Sequence, residues 1–443
     1  MVEKEGLSFL TSSTTQETYN LRAYLFFWIG QMLSHLASTI VQFVIILWIA
    51  LETESSFFLG LAAFAGFAPF ILVMPIAGVF VDRWSRKAVI ISMDFLQAVT
   101  TAILFFLFWI EAVSIWHILL LSALRGVCQG FHMPATEAIV PLLVPPEKLS
   151  QMNGLNHLMW GLVGIIGPLI AALLLSFWEI PQILLLDPLT FLIALIPVLI
   201  IQIPTLMKDE VATKKPSFQK EFSEGIVFIK ERPGLLSLLS VFTIVNLFSQ
   251  PFYVLLPLFL MNVHSVGENE LSGALALLLG VQQVGMLIGS IFMTTWKGFN
   301  RNVVGVTLGI LFTYLCMLAI AITPPQSYAL LIIGVVLWIN GLTNPISNVS
   351  SQTIWQSVVP PDKMGRVMSV RTTIAWFVIP VGMLLSGILA EIIGITELFL
   401  ACAILGLMSL VYTWFLTNFP NVEETLLPSE ALALPSSPPV EGV

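Results

Sequence analysis

Apolar residues in this chain come in long unbroken blocks, not in the short alternating or one-faced patterns of a water-soluble fold. A bilayer core of about 30 Å takes roughly 20 residues of helix to cross. Twelve blocks meet that length, at 22–51, 57–81, 88–110, 116–141, 151–177, 180–203, 234–262, 271–296, 302–323, 328–357, 366–392 and 395–417. All are much longer than the strands of a membrane barrel, so the pattern predicts an all-α membrane protein with twelve transmembrane helices. One long polar connection, 204–233, splits the blocks into two sets of six. The predicted organisation is an N-terminal segment 1–21, a six-helix bundle 22–203, the linker 204–233, a second six-helix bundle 234–417 and a tail 418–443. The tail is rich in Pro, Ser and Glu, which predicts disorder. Within the linker, Phe218, Phe222, Ile226 and Ile229 recur at helical spacing. That fits an amphipathic helix on the inner membrane surface and equally a solvated connection.

Composition narrows the class. Of the 443 residues 57% are apolar and 10% charged, against about a quarter charged in a soluble domain. A soluble enzyme and a disordered chain are excluded on that ground, and the net charge of −8 argues against a nucleic-acid partner, which needs clustered cations. Cys128, Cys316 and Cys402 sit inside apolar blocks and form neither a disulfide framework nor a metal spacing. No Gly-x-x-x-x-Gly-Lys-Ser/Thr loop is present for ATP. No nucleophile–base constellation is present either, so no enzyme, metal or cofactor is expected. If the blocks alternate across the membrane, every Lys and Arg except Arg125 falls on one side, while the other carries Glu52, Glu54, Glu111, Glu179, Glu268, Glu270, Glu391 and Glu397. Positive residues stay in the cytoplasm, which puts both termini there. Met1–Asn20 lacks the basic stretch and short apolar run of a cleaved signal peptide.

The two sets of six resemble each other. Leu143-Val144-Pro145-Pro146-Glu147-Lys148-Leu149 matches Val358-Val359-Pro360-Pro361-Asp362-Lys363-Met364 at an offset of 215, and Gly167 matches Gly382 at the same offset. Upstream, Gly78 matches Gly289 and Met133-Pro134 matches Asn344-Pro345 with an offset shorter by about one helical turn. Two parallel six-helix halves related by an axis along the membrane normal are a transporter plan. Between spans two and three lies Gly78-Val-Phe-Val-Asp82-Arg83-Trp-Ser-Arg86-Lys87. It resembles the G-x-x-x-D-R-x-x-R-[KR] loop of the major facilitator superfamily, and the twelve-span duplicated layout agrees over nearly the whole chain. The resemblance implies two pseudo-symmetric six-helix bundles in the major facilitator fold, moving a small molecule by alternating access. It also implies a cytoplasmic gate of Gly78, Asp82, Arg83 and Arg86 with Arg371 at the start of span eleven. Asp82 would accept from a helix N-terminus, and Arg86 would pair with Glu137 at the inner end of span four. The second half keeps Gly289, Lys297 and Arg301 but no matching aspartate.

Span five carries Gly154, Gly167, Pro168, Ala171 and Ala172 at the spacing of that family's antiporter motif, with Gly164 one place off. Such small residues let helices pack closely, and a seam between spans five and eleven is expected. The resemblance favours export. Arg125-Gly126 with Gln129-Gly130, Phe27-Trp28-Ile29-Gly30-Gln31, Met133-Pro134-Ala135 and Leu186-Asp187-Pro188 resemble the macrolide-efflux and siderophore-exporter branch.

Charges inside a bilayer are costly and tend to be functional. Asp94, Arg125, Glu137 and Asp187 lie within spans. Arg125 stays charged and needs a partner or water. Glu137 first, then Asp94, are the proton-coupling candidates, and Asp187 is read either as a third or as the cap of a break before Pro188. Uncharged polar residues, among them Gln31 and His35 of span one, Asn246 and Gln250 of span seven, and Asn340 and Asn344 of span ten, suit with Arg125 a roomy cavity for an amphipathic ligand. Interhelical hydrogen bonding explains each one singly as well. The expected function is proton-coupled efflux of a drug-, macrolide- or siderophore-like molecule by a monomer in the cell membrane, with protons and the lipid bilayer as partners. A same-fold importer, a lysolipid flippase and a non-transporting scaffold or sensor are the alternatives.

Overall fold

The structure is a computed structural model and describes residues 19–81, 84–201 and 218–424. Its first half comprises α1 (Leu21–Thr53), α2 (Ser56–Val81), α3 (Arg86–Trp109), α4 (Ile115–Glu137), the single turn α5 (Val140–Leu143), α6 (Leu149–Leu175), α7 (Ile180–Leu184) and α8 (Leu186–Ile200). The connecting helix α9 (Phe218–Lys230) follows. The second half comprises α10 (Pro233–Asn262), α11 (Glu268–Thr295), α12 (Asn302–Ala321), α13 (Ala329–Val358), α14 (Met364–Ile393) and α15 (Ile395–Leu416). No strand occurs among the described residues. Among the described residues, eleven helices are long and apolar enough to cross a membrane. The twelfth is α4, whose 23 residues include His117, Arg125, His132 and Glu137; it packs against α2 and α3.

Short polar signals set the helix ends. Asn20 caps α1 by accepting from the Ala23 N–H at 3.0 Å, as an N-cap Asn does. Ser114 and His117 share a reciprocal cap at the start of α4, and Lys87 donates to the Leu199 and Ile201 carbonyls at 2.7 and 3.1 Å, closing the C-terminus of α8. Gly394, at φ 94°, turns α14 directly into α15. Span six breaks at Leu185, between α7 and α8, shortly before Asp187 and close to Pro188, which lacks the N–H to continue a ladder.

Helix neighbours repeat between halves. The pairs α2·α4, α3·α4, α1·α6, α1·α8 and α3·α8 of the first half recur as α11·α13, α12·α13, α10·α14, α10·α15 and α12·α15 in the second. The contacts between halves, α2·α14 and α6·α11, exchange under the same operation. This is a pseudo-twofold arrangement of two bundles.

The halves are joined unevenly. One large core contains residues from both ends of the second half, but from the first half only residues near the end that carries the acidic loops: Ile40 to Ala50 of α1, Leu59, Leu104, Ile118, Leu121, Ala171 and Ala172 among them. At the basic end the first half has a separate core built on Tyr24, Phe27, Ile90, Ala135 and Ile139. The molecule is therefore closed at its acidic end and parted at its basic end.

Three differences from the sequence reading concern elements. The linker helix does not lie on a surface with its apolar face free: Phe228 and Ile229 are buried in the large core, and α9 packs on α14 and α10. Gly225 allows this, because a β-carbon there would sit 2.7 Å from Val370 and 2.8 Å from the Arg366 carbonyl; Glu224 pairs with Arg366 at 2.6 Å. The tail expected to be disordered from 418 instead begins with a 3₁₀ turn, Phe419–Glu424; its remainder, 425–443, lies outside the described residues. Phe419 and Val422 are fully buried, and Glu423 accepts from the Asn302 and Val303 backbone N–H groups, capping α12. Finally, spans five and eleven do not form the seam between halves. Span five (α6) meets span eight (α11), and span eleven (α14) meets span two (α2).

Candidate functional site

The polar side chains of the first half gather into two clusters along α4. In the outer one, Arg125 Nη1 pairs with Asp187 Oδ2 at 2.7 Å. Thr101 donates to the same oxygen at 2.6 Å and Ser38 to Oδ1 at 2.5 Å. Arg125 also reaches the Thr101 hydroxyl and, at 3.4 Å, the Gln97 carbonyl. Four helices, α1, α3, α4 and α8, meet on this one carboxylate, and the break before Asp187 turns it inward. In the inner cluster, two turns along α4, His132 Nε2 lies 2.9 Å from Asp94 Oδ1 and 3.1 Å from Gln31 Oε1, while Gln31 Nε2 donates to Asp94 Oδ2 at 3.3 Å. His35 packs against Trp160 with ring centres 4.1 Å apart and planes tilted by 42°.

The second half has no such charges at the corresponding depth among the described residues. It has a cavity of about 300 Å³ lined by Gly164, Tyr253, Gln282, Gln283, Asn340 and Asn344, with Leu279, Met286 and Gly341. Gln282 donates to Asn340 Oδ1 at 3.0 Å and to the Tyr253 hydroxyl at 3.5 Å. Gly164 of α6 forms the facing wall; a β-carbon there would collide with Gln283. The lining is uncharged, rich in donors and acceptors, and partly apolar, which suits an amphipathic molecule.

The expected residues divide accordingly. Asn340 and Asn344 line the cavity. Gln31 and Arg125 belong to the first-half clusters, and His35 is held against Trp160. Asn246 donates to the Ala375 carbonyl of α14 at 2.8 Å and Gln250 packs on Gly382, so both serve the α10–α14 contact. Glu137 is exposed at the end of α4, with His157 of α6 nearby. Arg86 is half-buried and makes no ion pair with Glu137 among the described residues. Asp82 and Arg83 lie outside the described residues. Gly78 faces open space, and Arg371 is bound within the second half, donating to Gln352 Oε1 at 2.6 Å and lying over Trp355. In span five, Gly167 touches Thr39 of α1, Gly154 faces open space, and the contact across to α11 is made by Gly161 and Gly164. Ala171 and Ala172 are buried, and Pro168 lies within α6.

His132 and Tyr253 were not singled out from the sequence. His132 had a signal: it lies two turns from Arg125 on the same face of α4.

At the acidic end, Glu391 of α14 accepts from the Ser55 hydroxyl at 2.7 Å and the Phe57 N–H at 3.1 Å. It thus caps α2 from the other half. Beside it, Gly60 and Gly387 bring the two backbones together: a β-carbon on Gly60 would lie 2.8 Å from Gly387.

Two bundles related by a pseudo-twofold, joined at one end around a polar cavity, define a membrane transporter of the alternating-access class. The sequence profile of the Major Facilitator Superfamily matches residues 27–382 and 315–438, and the chain belongs to that family. It is 30% identical to macrolide efflux protein A of Streptococcus pyogenes over 392 residues, 87% of this chain and 94% of that one. It is 24% identical to the multidrug efflux pump Tap of Mycolicibacterium fortuitum, over 87% of this chain and 93% of that one. Among solved structures, the nucleoside transporter NupG superposes with TM-score 0.66 at 12% identity, covering 88% of this chain and 98% of its own. A bacterial homologue of the lysosomal transporter Spinster, in an inward-facing and unoccupied conformation, gives TM-score 0.65 at 17% identity, with 93% and 99% covered. The protein is thus a multi-pass membrane transporter of the macrolide-efflux branch of this family.

Proposed function

We propose that the protein exports an amphipathic small molecule of macrolide, drug or siderophore type, in exchange for inward-moving protons, as a monomer in the cell membrane with both termini cytoplasmic. The observation that carries this reading is the pairing of an uncharged polar cavity in the second half with buried ionisable clusters in the first, in a molecule closed at its acidic end. With the Lys- and Arg-rich side in the cytoplasm, this conformation opens inward, ready to load from the cell. Substrate enters from that side, the halves rock, the Gly60–Gly387 contact and the Glu391 cap release, and substrate leaves outward. One proton falling through about 100 mV supplies about 2.3 kcal/mol, enough for roughly fortyfold accumulation. The relatives named for macrolide and multidrug efflux support the substrate class and the direction. Among the acids, Asp94 and Asp187 are buried within clusters, and Glu137 stands on the open side as a point of proton entry.

The test is accumulation of radiolabelled erythromycin, a macrolide, in a susceptible bacterial strain with and without the protein. Expressing cells are expected to hold less, and a protonophore is expected to abolish the difference. Higher accumulation in expressing cells marks an importer, and an unchanged level removes macrolides from the substrate range.

A further inference from the structure

The Asp94–His132–Gln31 ring stands apart from the rest of the buried polar residues in its chemistry. Its side chains come from α3, α4 and α1 and are nearly enclosed: 14% exposed for His132 and 10% for Asp94, 8% for Gln31. Both groups facing His132 Nε2, Asp94 Oδ1 at 2.9 Å and Gln31 Oε1 at 3.1 Å, are acceptors. The orientation of Gln31 is fixed independently, because its amide nitrogen donates to Asp94 Oδ2. The ring is therefore complete only while Nε2 carries a hydrogen.

The surroundings leave it, among the described residues of the first half, the one buried cluster free to change charge. α2, packed along α4, brings no titratable side chain over residues 56–81. α1 brings His35, packed against Trp160 and within electrostatic reach of His132. α4 itself brings Cys128, Arg125 and Glu137. Arg125 is already paired with Asp187, Cys128 is buried, and Glu137 is exposed beside His157 of α6. From α8, Asp187 has both oxygens engaged by Ser38, Thr101 and Arg125, so it serves as the fixed counter-ion of an arginine that keeps its proton.

Building on the proton-coupled reading above, we infer that the Asp94–His132–Gln31 ring is where the transporter takes up and releases its driving proton. Imidazole is the side chain that changes charge near neutral pH. The loaded ring pairs imidazolium with carboxylate and is neutral; the unloaded ring pairs imidazole with carboxylate and carries one negative charge. Only an N–H bond forms or breaks, and the proton comes from and returns to water. A neutral ring crosses the closed, dry intermediate at lower cost than a charged one. Both acceptors hold the hydrogen on Nε2 in either state, so the proton exchanged is the one on Nδ1, and its loss turns a charge-assisted contact with Asp94 into an ordinary one. That loosens the tie between α1, α3 and α4 and links protonation to helix position. His132 is in this sense a residue of the coupling step, and Gln31 positions it.

The experiment has a substrate-free arm and a transport arm. Purified full-length protein with ¹⁵N-labelled imidazoles has only five histidines to assign. The signal missing from His132→Gln is expected to titrate, and Asp94→Asn is expected to move its midpoint. In proteoliposomes, His132→Gln and Asp94→Asn are expected to lose pH-gradient-driven erythromycin accumulation while keeping erythromycin counterflow. A His132 signal indifferent to pH or to Asp94→Asn overturns the inference, as does wild-type gradient-driven transport in His132→Gln. Should His132→Gln lose counterflow as well, Gln31→Ala decides, since it keeps both titrating groups: a shifted pH profile of transport supports the ring and an unshifted one overturns it. Wild-type protein that moves no erythromycin counts against the efflux reading alone, because the titration arm needs no substrate.

Discussion

Arg125 is a full charge on a membrane-embedded helix, and its partner explains how it is tolerated. Asp187 meets it at 2.7 Å, with Ser38 and Thr101 filling the remaining positions on the carboxylate. Removing one member of such a pair strands the other, which costs about 3–5 kcal/mol. Arg125→Met is accordingly expected to lower the thermal unfolding midpoint of the purified protein sharply, and adding Asp187→Leu to it is expected to restore most of the loss. A double variant no more stable than the single would show that the pair is not the reason. At this scale the sequence displayed the need but not the answer. That Arg125 required a partner follows from its charge alone. That the partner stands 62 residues away on α8 follows from a helix break aimed by packing. The same holds for Asp94 and Glu137, which are indistinguishable by depth in their spans. One is enclosed with His132 and Gln31, and the other faces the open side.

At the scale of helices, close approach is decided by single glycines, and the relevant pair is Gly60 with Gly387. With no β-carbons, α2 and α14 touch backbone to backbone, and Glu391 caps α2 across the contact. An N-cap is worth about 1 kcal/mol, so Glu391→Gln should shift the balance between closed and open acidic ends about fivefold toward open. Spin labels on cysteines placed at Glu54 and Ile393 are expected to report a larger long-distance population in that variant. The three native cysteines are buried and leave the labelling clean. An unchanged distance distribution would dismiss Glu391 as a latch. The span-five motif teaches a related lesson. Its small residues were legible as packing residues, but Gly167 turns toward α1 while Gly161 and Gly164 cross to α11. A modest rotation about the helix axis separates these outcomes, and nothing along the chain records that rotation.

Over the whole molecule the two halves are alike in pairing and unlike in content: charged clusters in the first, an uncharged cavity in the second, and the connecting helix bound to the second alone. Because α9 is held by Phe228, Ile229 and the Glu224–Arg366 pair, it travels with α14 when the halves rock. Gly225→Leu would drive a side chain into Val370 and the Arg366 backbone. It is expected to undock α9 and speed tryptic cleavage at the exposed Lys230, read by gel against wild type; equal cleavage rates would mean that α9 is not clamped there. The sequence by itself determined the spans, the charge asymmetry of the two sides and the duplication of the halves, because a bilayer forces each crossing segment to satisfy its own backbone and to be apolar end to end. Which helices meet between halves, which acid is enclosed and which end is shut were decided only in three dimensions. Lipid is as apolar as a helix interface, so a membrane helix carries no amphipathic stripe to declare its inward face; that face is chosen when glycines, prolines and a few buried charges find their fit.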